Sequence, residues 1–174
     1  MDSRFQAAEL THFDAGGRPA MVDVGDKTET LREATAEGFL RIGPAALAAL
    51  DAGSLKKGDP LVVAQIAGIQ AAKRTADLIP LCHTLPLSSV EVQLEIDRQQ
   101  LAIRATATAR VTARTGVEME ALTAVAVALL TAYDMLKAVD RSMRIEGVHL
   151  LRKTGGRSGT FDARDSEERS DHER

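Results

Sequence analysis

The chain has 174 residues, of which 44% are hydrophobic but only 3% are aromatic, and it contains no tryptophan. This length suits a single domain with an ordinary core, which must be built from Ala, Val, Leu and Ile. The formal net charge is −3, and a chain without a basic excess is a poor candidate for non-specific nucleic-acid binding.

The single cysteine, Cys82, excludes an intrachain disulfide and favours a reducing compartment. The first ten residues carry acids and no apolar core, unlike a secretory signal peptide. The strongly apolar runs are shorter than the ~20 residues that a membrane-spanning helix needs. Together these features predict a cytoplasmic protein.

Composition divides the chain into three parts. Residues 1–9 are predicted to be a flexible N-terminus, residues 10–160 a single domain, and residues 161–174 a disordered, charged tail. The domain opens with a loop punctuated by Gly and Asp. All regular structure is therefore expected after about residue 26.

The first half of the domain is predicted to hold one strand and two helices. Residues 29–42 place small apolar residues on one parity and favour a strand. Residues 43–53 indicate a short helix. Residues 59–77 indicate a longer helix, with Asp59 as N-cap and Pro60 in its first turn.

The second half is predicted to hold a β-hairpin, a long helix and a final strand. Residues 87–96 and 101–111 alternate and are joined by the turn DRQQ, which predicts the hairpin. Residues 145–152 read as the last strand. This order indicates an α+β fold, with an antiparallel sheet and helices on one face, and a ferredoxin-like sandwich is the expected architecture. The long helices are more apolar than one sheet face can cover, so burial by a neighbouring subunit is expected.

The helix predicted over residues 115–140 carries candidate functional groups at both ends. Thr115 and Glu118 fit a capping box, and Glu120 has no such explanation. At about 1.5 Å rise per residue, Glu120 and Asp134 are roughly 21 Å apart along the axis. One small substrate cannot easily contact both, so the first hypothesis is an oligomer with sites shared between chains.

A group of cations lies in apolar or Gly-rich surroundings. Taken singly, each is explained by a solvated face or by the helix dipole. Taken together they favour an anion site, where Gly155, Gly156 and Gly159 would let backbone N–H groups approach phosphate oxygens. The cations are Lys57, Lys73, Arg74, Lys137, Lys153 and Arg157.

Asp134 and Lys137 are three residues apart, so an intrahelical ion pair is their simplest interpretation. The apolar stretch before them predicts partial burial, where protonation states shift and proton transfer becomes feasible. General acid–base chemistry by Asp134, Lys137 and Lys57 is a second hypothesis. Adjacent side chains of an extended segment point to opposite sides, so Cys82 and His83 are not expected to form a catalytic dyad, and His83 is interpreted as a hydrogen-bonding histidine.

Four long blocks closely resemble the family of molybdenum cofactor biosynthesis protein C, also called cyclic pyranopterin monophosphate synthase. They occur in the family's order and cover roughly residues 10–160. The blocks are LTHFDAGGRPAMVDV, KGDPLVVAQIAGIQAAKRTADLIPLCHTLPLSSVEV, TGVEMEALTAVAVALLTAYDMLKAVDRSM and LLRKTGGRSG.

The resemblance implies a ferredoxin-like protomer in a homohexamer, built as a trimer of dimers with sites at the dimer interfaces. The implied substrate is a cyclised dihydro-GTP, (8S)-3′,8-cyclo-7,8-dihydroguanosine 5′-triphosphate. The implied product is cyclic pyranopterin monophosphate, with release of pyrophosphate. No cofactor and no metal site are expected, and Mg²⁺ would enter only with the triphosphate. Neither a nucleic acid nor a membrane is an expected partner.

The resemblance also assigns roles to individual residues. Catalytic roles fall on Asp134, Lys57 and Lys137. Substrate-binding roles fall on Leu81, Cys82, His83, Met119, Glu120, Glu118, Lys73, Arg32 and Lys153.

Four positions depart from the family pattern: Thr84, Leu136, Arg114 and Arg157. None removes a proposed catalytic group, although Thr84 could alter how His83 is presented. Two other interpretations remain open at this point. One is a non-catalytic module that senses a nucleotide between subunits, and the other is a structural hexamer that serves as a scaffold for the preceding enzyme of the pathway.

Overall fold

The computed structural model describes residues 16–53, 58–157 and 159–164. The predicted flexible N-terminus, Lys57 and residues 165–174 of the predicted tail lie outside these ranges. The elements in chain order are β1 (Thr30–Arg41), α1 (Pro44–Asp51), α2 (Pro60–Ala72), α3 (Thr75–Leu78), β2 (Ser89–Asp97), β3 (Ala102–Ala113), α4 (Glu118–Leu136), β4 (Arg144–Thr154) and β5 (Phe161–Asp162).

The strands form one antiparallel sheet in the order β2-β3-β1-β4-β5. Helices α2 and α4 pack together and against the sheet, which confirms the predicted α+β class and its antiparallel sheet. The predicted hairpin is confirmed, with Asp97 opposite Ala102 across its turn. Strand β5 was not predicted; it pairs with β4 inside the segment assigned to the tail.

Strand β1 confirms its predicted alternation. Ala34, Ala36, Gly38 and Leu40 are buried, whereas the residues between them are only partly buried. The opposite face carries cross-strand ion pairs, such as Arg104 with Glu37. An antiparallel sheet covered on one side has this pattern, because only one face contacts the core.

Helix α2 begins as predicted and ends earlier. Asp59 is its N-cap, and its Oδ1 accepts hydrogen bonds from the N–H groups of Leu61 and Val62. The helix stops at Ala72 instead of residue 77. The buried Thr75 hydroxyl donates to the carbonyl of Ala72 at 3.0 Å, so the side chain satisfies a terminal acceptor and the chain turns before α3.

Helix α4 is shorter than predicted at both ends, and the capping-box prediction is wrong. The N-cap is Val117, which provides no side-chain bond, and the helix ends at Leu136. Val117 is almost fully buried in the core, which fixes the start of the helix two residues after Thr115. The Glu118 carboxylate lies instead near Lys153.

Helix α4 is the one helix among the described residues that meets the length and hydropathy criteria for a membrane span. By length and composition alone, α4 passes as long and apolar enough to cross a bilayer. Half of its apolar window is buried inside the fold, where it packs on α2 and the sheet. The core helix of a globular domain has these properties.

Small residues set the distance between α2 and α4. Gly68 faces α4 so closely that a Cβ atom there would lie 2.9 Å from the carbonyl oxygen of Ala124 and 3.2 Å from the Cβ of Ala128. The backbones can therefore approach only because position 68 has no side chain.

We expect Gly68→Ala to destabilise the protein. The substitution improves helix propensity by about 1 kcal/mol, but overpacking against a backbone carbonyl typically costs about 1–3 kcal/mol. The urea-unfolding midpoint should fall, while Gln70→Ala on the exposed side of the same helix should leave it nearly unchanged. An unchanged or higher midpoint for Gly68→Ala would show that the two helices can separate at little cost.

Candidate active site

Two adjoining cavities lie at one end of the sheet, on the side covered by helices. Here β1 begins, β3 and β4 end, and α4 begins. The smaller cavity has a volume of about 300 Å³ and the larger one about 550 Å³. Both are lined by Lys27, Thr115, Gly116 and Glu118, so they form one continuous site.

The smaller cavity, here called the apolar cavity, has a lining that is slightly more apolar than polar, and it contains one deeply placed acid. Its remaining lining residues are Val22, Val24, Leu81, Cys82, His83, Leu85, Met119 and Glu120. Glu120 is only 4% exposed. Burial raises its pKa to about 7, and the negative charge of Glu118 adds to the rise. A neutral carboxyl group can both donate and accept a hydrogen bond.

Cys82 and His83 both line this cavity, and the expectation that they form no catalytic dyad stays a prediction. Neither residue lies in a strand, and the alternation of an extended strand does not apply to them. The Nε2 of His83 lies 2.9 Å from the carbonyl oxygen of Val22. Because a carbonyl can only accept, Nε2 carries the proton, which supports the prediction of a hydrogen-bonding histidine. Burial raises the pKa of the Cys82 thiol, with a further contribution from Glu120.

The larger cavity gathers five cationic side chains. Its cations are Lys27, Arg32, Arg114, Lys153 and Arg157. One carboxylate, Glu118, also lines it, 3.7 Å from the Nζ of Lys153. Gly116 lets this carboxylate fold back, since a Cβ at that position would overlap it. An excess of cations at the start of a helix favours an anionic ligand.

Arg32 is held in place by backbone groups. Its Nε donates to the carbonyl of Ala113 and its Nη2 to the carbonyl of Arg114, each at 3.0 Å. Gly155 and Gly156 both have positive φ and pack directly against Arg32. The Gly-rich segment therefore fits against the guanidinium. The cations gathered here share Lys153 and Arg157 with the set from which an anion site was predicted, and anion binding stays a prediction.

The two cavities bring together most of the residues proposed for substrate binding. Lys73 is not among them; it is exposed at the end of α2. Lys57 lies outside the described residues. The residues brought together are Arg32, Leu81, Cys82, His83, Glu118, Met119, Glu120 and Lys153.

The pair proposed for acid–base chemistry lies at the other end of α4. The Nζ of Lys137 is 2.6 Å from Oδ1 of Asp134, which confirms the intrahelical ion pair. Both side chains are about half exposed in the single chain, so the partial burial predicted for them is not found there. The turn after them is held by Asp140, whose carboxylate accepts bonds from the N–H groups of Gly43 and Ser142.

Sequence reasoning missed Lys27 as a site residue and treated Arg114 only as a departure from the family pattern. Lys27 follows a loop that was dismissed as lacking regular structure, and only the fold brings that loop to the start of α4. Within the described ranges, no group of three or more His, Cys, Asp or Glu residues could hold a metal ion.

We expect stability to depend on the protonation of Glu120. Its pKa rises from 4.5 to about 7 on folding, so the folded state binds more protons than the unfolded state between these values. Stability should therefore fall as pH rises from 4.5 through 7. In Glu120→Gln the urea-unfolding midpoint should decline less between pH 5 and pH 8 than in the wild type.

The matched control is Glu95→Gln, an exposed position on β2, which should follow the wild-type pH dependence. Identical pH dependence in Glu120→Gln and the wild type would contradict a protonated Glu120.

Comparison with known proteins places this chain in a family. Residues 21–156 match the MoaC family. The chain is 59% identical over 156 residues to a protein of Methylobacterium sp. (strain 4-46), covering 90% of this chain and 98% of that protein. It is 60% identical over 152 residues to a protein of Herpetosiphon aurantiacus, covering 87% and 93%, and 55% identical over 162 residues to one of Thermomicrobium roseum, covering 93% and 98%. Each relative is named cyclic pyranopterin monophosphate synthase, and the chain belongs to the MoaC family.

Proposed function

We propose that this protein is a cyclic pyranopterin monophosphate synthase of molybdenum cofactor biosynthesis. It converts the cyclised dihydro-GTP, (8S)-3′,8-cyclo-7,8-dihydroguanosine 5′-triphosphate, to cyclic pyranopterin monophosphate and releases pyrophosphate. The relatives at 53–60% identity carry this name. Retention of the family's sequence blocks across residues 21–156 supports the same activity here.

The observation that carries the proposal is the pair of joined cavities. The substrate has two chemically different parts, a fused heterocycle and a triphosphate. An apolar cavity with a buried acid suits the heterocycle, and a cavity with five cations suits the phosphates. The residues shared by both cavities would then lie beside the ribose and the α-phosphate.

The cationic cavity suits the phosphate chemistry. Closing the cyclic monophosphate requires a sugar hydroxyl oxygen to lose its proton to a base and to bond to the α-phosphorus. The bond between the α-phosphorus and the oxygen that bridges it to the β-phosphorus breaks. Negative charge then accumulates on the departing pyrophosphate. Arg32, Lys153 and Arg157 would stabilise that charge, because fixed cations in a partly enclosed site need no reorganisation during the reaction.

The apolar cavity suits the heterocycle. Glu120 is neutral over part of the physiological pH range and could hydrogen-bond to both donor and acceptor atoms at the edge of the ring. His83, with Nε2 committed to Val22, presents Nδ1 as an acceptor when the ring is neutral. These two side chains would orient the ring before it is opened and closed again.

Proton transfer would come from Asp134, Lys137 and Lys57, as the family resemblance implies. Along α4, Asp134 is roughly 21 Å from Glu120, too far to act on a substrate in the cavities of its own chain. A second copy would therefore supply the opposite end of its α4. Lys57, outside the described residues, is included on the resemblance alone.

We infer that such a second copy covers the exposed apolar positions of the helices. The exposed apolar residues in the single chain are Val62, Val63 and Ile66 of α2 and Leu130 of α4.

The order β2-β3-β1-β4 around a βαββαβ chain supports a ferredoxin-like protomer. The homohexamer built as a trimer of dimers, with sites at the dimer interfaces, is the proposed assembly. The proposed location is the cytoplasm. No cofactor is proposed, and Mg²⁺ would enter only with the triphosphate.

The decisive experiment is incubation of the purified protein with the cyclised dihydro-GTP. We expect release of pyrophosphate together with a product that becomes a fluorescent pterin on oxidation. Release in the absence of the preceding pathway enzyme would exclude a scaffold. Tight binding without release would support the nucleotide-sensing alternative.

Two adjacent cations on β4 provide a matched pair of variants for this assay. Lys153 pairs with Ala34 and lines the cationic cavity, whereas Arg152 pairs with Thr35 and lines a cavity on the opposite face of the sheet. Lys153→Met should lower kcat/KM on the order of 100-fold, because it removes a cation and leaves Glu118 without that partner. Arg152→Met should have little effect. Equal losses in both variants would indicate a general charge effect.

The shared site predicts complementation between inactive variants. Lys57→Ala and Asp134→Ala should each lose activity, and mixed oligomers purified through two different tags should recover part of it. Recovery is expected because one site in each mixed pair would then contain both intact residues. Oligomers of a single variant carrying both tags are the control. Absence of recovery in verified mixed oligomers would place both residues in one protomer.

A further inference from the structure

A segment of the N-terminal loop covers both cavities of the site. Residues 22–29, here called the N-terminal strap, contribute Val22 and Val24 to the apolar cavity and Thr28 to the cationic cavity. Lys27 lines both and is partly buried. No helix or sheet hydrogen bonds hold this segment along its length, so its position depends on side-chain contacts.

Two side chains, one lining each cavity, bind the backbone of the strap. His83 binds the carbonyl of Val22 through Nε2 at 2.9 Å. Arg114 donates from Nη1 to the carbonyl of Gly25 at 2.8 Å, and its Nε lies 3.7 Å from a carboxylate oxygen of Glu29. The Arg114 contacts therefore bracket Lys27, with one two residues before it and the other two residues after it.

The strap between these anchors is a compact turn. The N–H of Lys27 donates to the carbonyl of Val24 at 3.1 Å, and the N–H of Gly25 donates to Oδ1 of Asp23 at 2.8 Å. Because hydrogen bonds close this turn, a contact that fixes the backbone of Gly25 also restricts Lys27. The backbone of Arg114 is itself fixed, because its carbonyl accepts from Nη2 of Arg32.

We propose that Arg114 is a positioning residue that acts through the N-terminal strap. It holds Lys27 at the junction of the two cavities through its contacts with Gly25 and Glu29, here called the clamp. This positioning contributes more to kcat than the charge of Arg114 does. The inference rests on the proposed function, because that function puts the ribose and the α-phosphate at the junction. A planar guanidinium can bind the Gly25 carbonyl and approach Glu29 at the same time, which a single lysine ammonium does less well.

A double-mutant cycle tests whether Arg114 acts through Lys27. Lys27→Ala and Arg114→Met should each lower kcat, and Arg114→Met by about tenfold, as expected for a misplaced catalytic-site group. If Arg114 acts through Lys27, the double variant should match Lys27→Ala within about a factor of three. Losses that multiply would mean that Arg114 contacts the substrate directly, which would overturn the proposal.

Amide hydrogen exchange of the free protein gives a readout that does not need turnover. In Arg114→Met, exchange over residues 22–29 should be on the order of tenfold faster, because the clamp limits local opening. Lys27→Ala should leave it nearly unchanged. Arg114→Lys, which keeps the charge, should show an intermediate increase and serves if Arg114→Met does not fold. Unchanged exchange in both Arg114 variants would overturn the clamp.

The control arginine is Arg98, which is exposed on the β2–β3 turn and paired with Asp51. Arg98→Met should alter neither kcat nor exchange of the strap. The two hypotheses fail in different ways. A wild-type protein that releases no pyrophosphate from the cyclised intermediate would refute the proposed function, whereas the exchange comparison would still decide whether Arg114 holds the strap.

Discussion

Helix α4 is in contact with both the sheet and α2 through positions that carry almost no side chain. A Cβ on Gly38 of β1 would lie within 3.1 Å of the side chains of Val125 and Leu129, and one on Gly68 of α2 would strike the carbonyl of Ala124. Helix and sheet backbones can approach this closely only where side chains are absent or small. This close packing fixes the start of α4 next to the start of β1 and the last residues of β3 and β4. The joined cavities lie where these four elements meet.

The site contains two different electrostatic environments within a short distance. On one side, five cations surround a single carboxylate, which favours a multiply charged anion. On the other side, Glu120 is buried among apolar groups, and desolvation keeps it protonated to about pH 7. Glu118 and Glu120 both belong to the first turn of α4. Their side chains have different surroundings, and these decide whether each carboxyl group is charged beside a cation or neutral by burial. One helix end would therefore serve both the ring and the phosphate end of the proposed substrate.

The close packing of α4 also keeps the cavity residues apart from the proposed acid–base pair. Asp134 lies in the last turn of α4 and Lys137 is its C-cap residue. Neither can move towards the cavities without breaking a helix whose buried residues run from Glu120 to Leu136. The exposed apolar positions on α2 and α4 suit contact with another copy of the chain. A site assembled from two protomers would reconcile the distance along the helix with the chemistry proposed for its two ends, and it would link activity to assembly.

Local sequence patterns were sufficient for the elements whose cause is local. The alternation in β1, the hairpin with its turn at Asp97, and the Asp59 cap of α2 each depend on neighbours a few residues away, and each was predictable. Long-range contacts decided the boundaries that were missed. Helix α4 begins after the buried Val117 and not at the apparent capping box. Helix α2 ends at Ala72, where the Thr75 hydroxyl binds the terminal carbonyl, although the apolar pattern continues.

The candidate site divides in the same way. The sequence by itself determined the family and the residue types, because the blocks around His83, Glu120 and Lys153 are long and specific. Only the tertiary structure decided that Lys27 and Arg114 join these residues, since nothing local connects a loop before β1 with the end of β3. It also decided that Glu120 is protonated to about pH 7 while Glu118 faces Lys153. Burial and charge proximity are properties of the folded neighbourhood, and residues two apart in the sequence can differ in both.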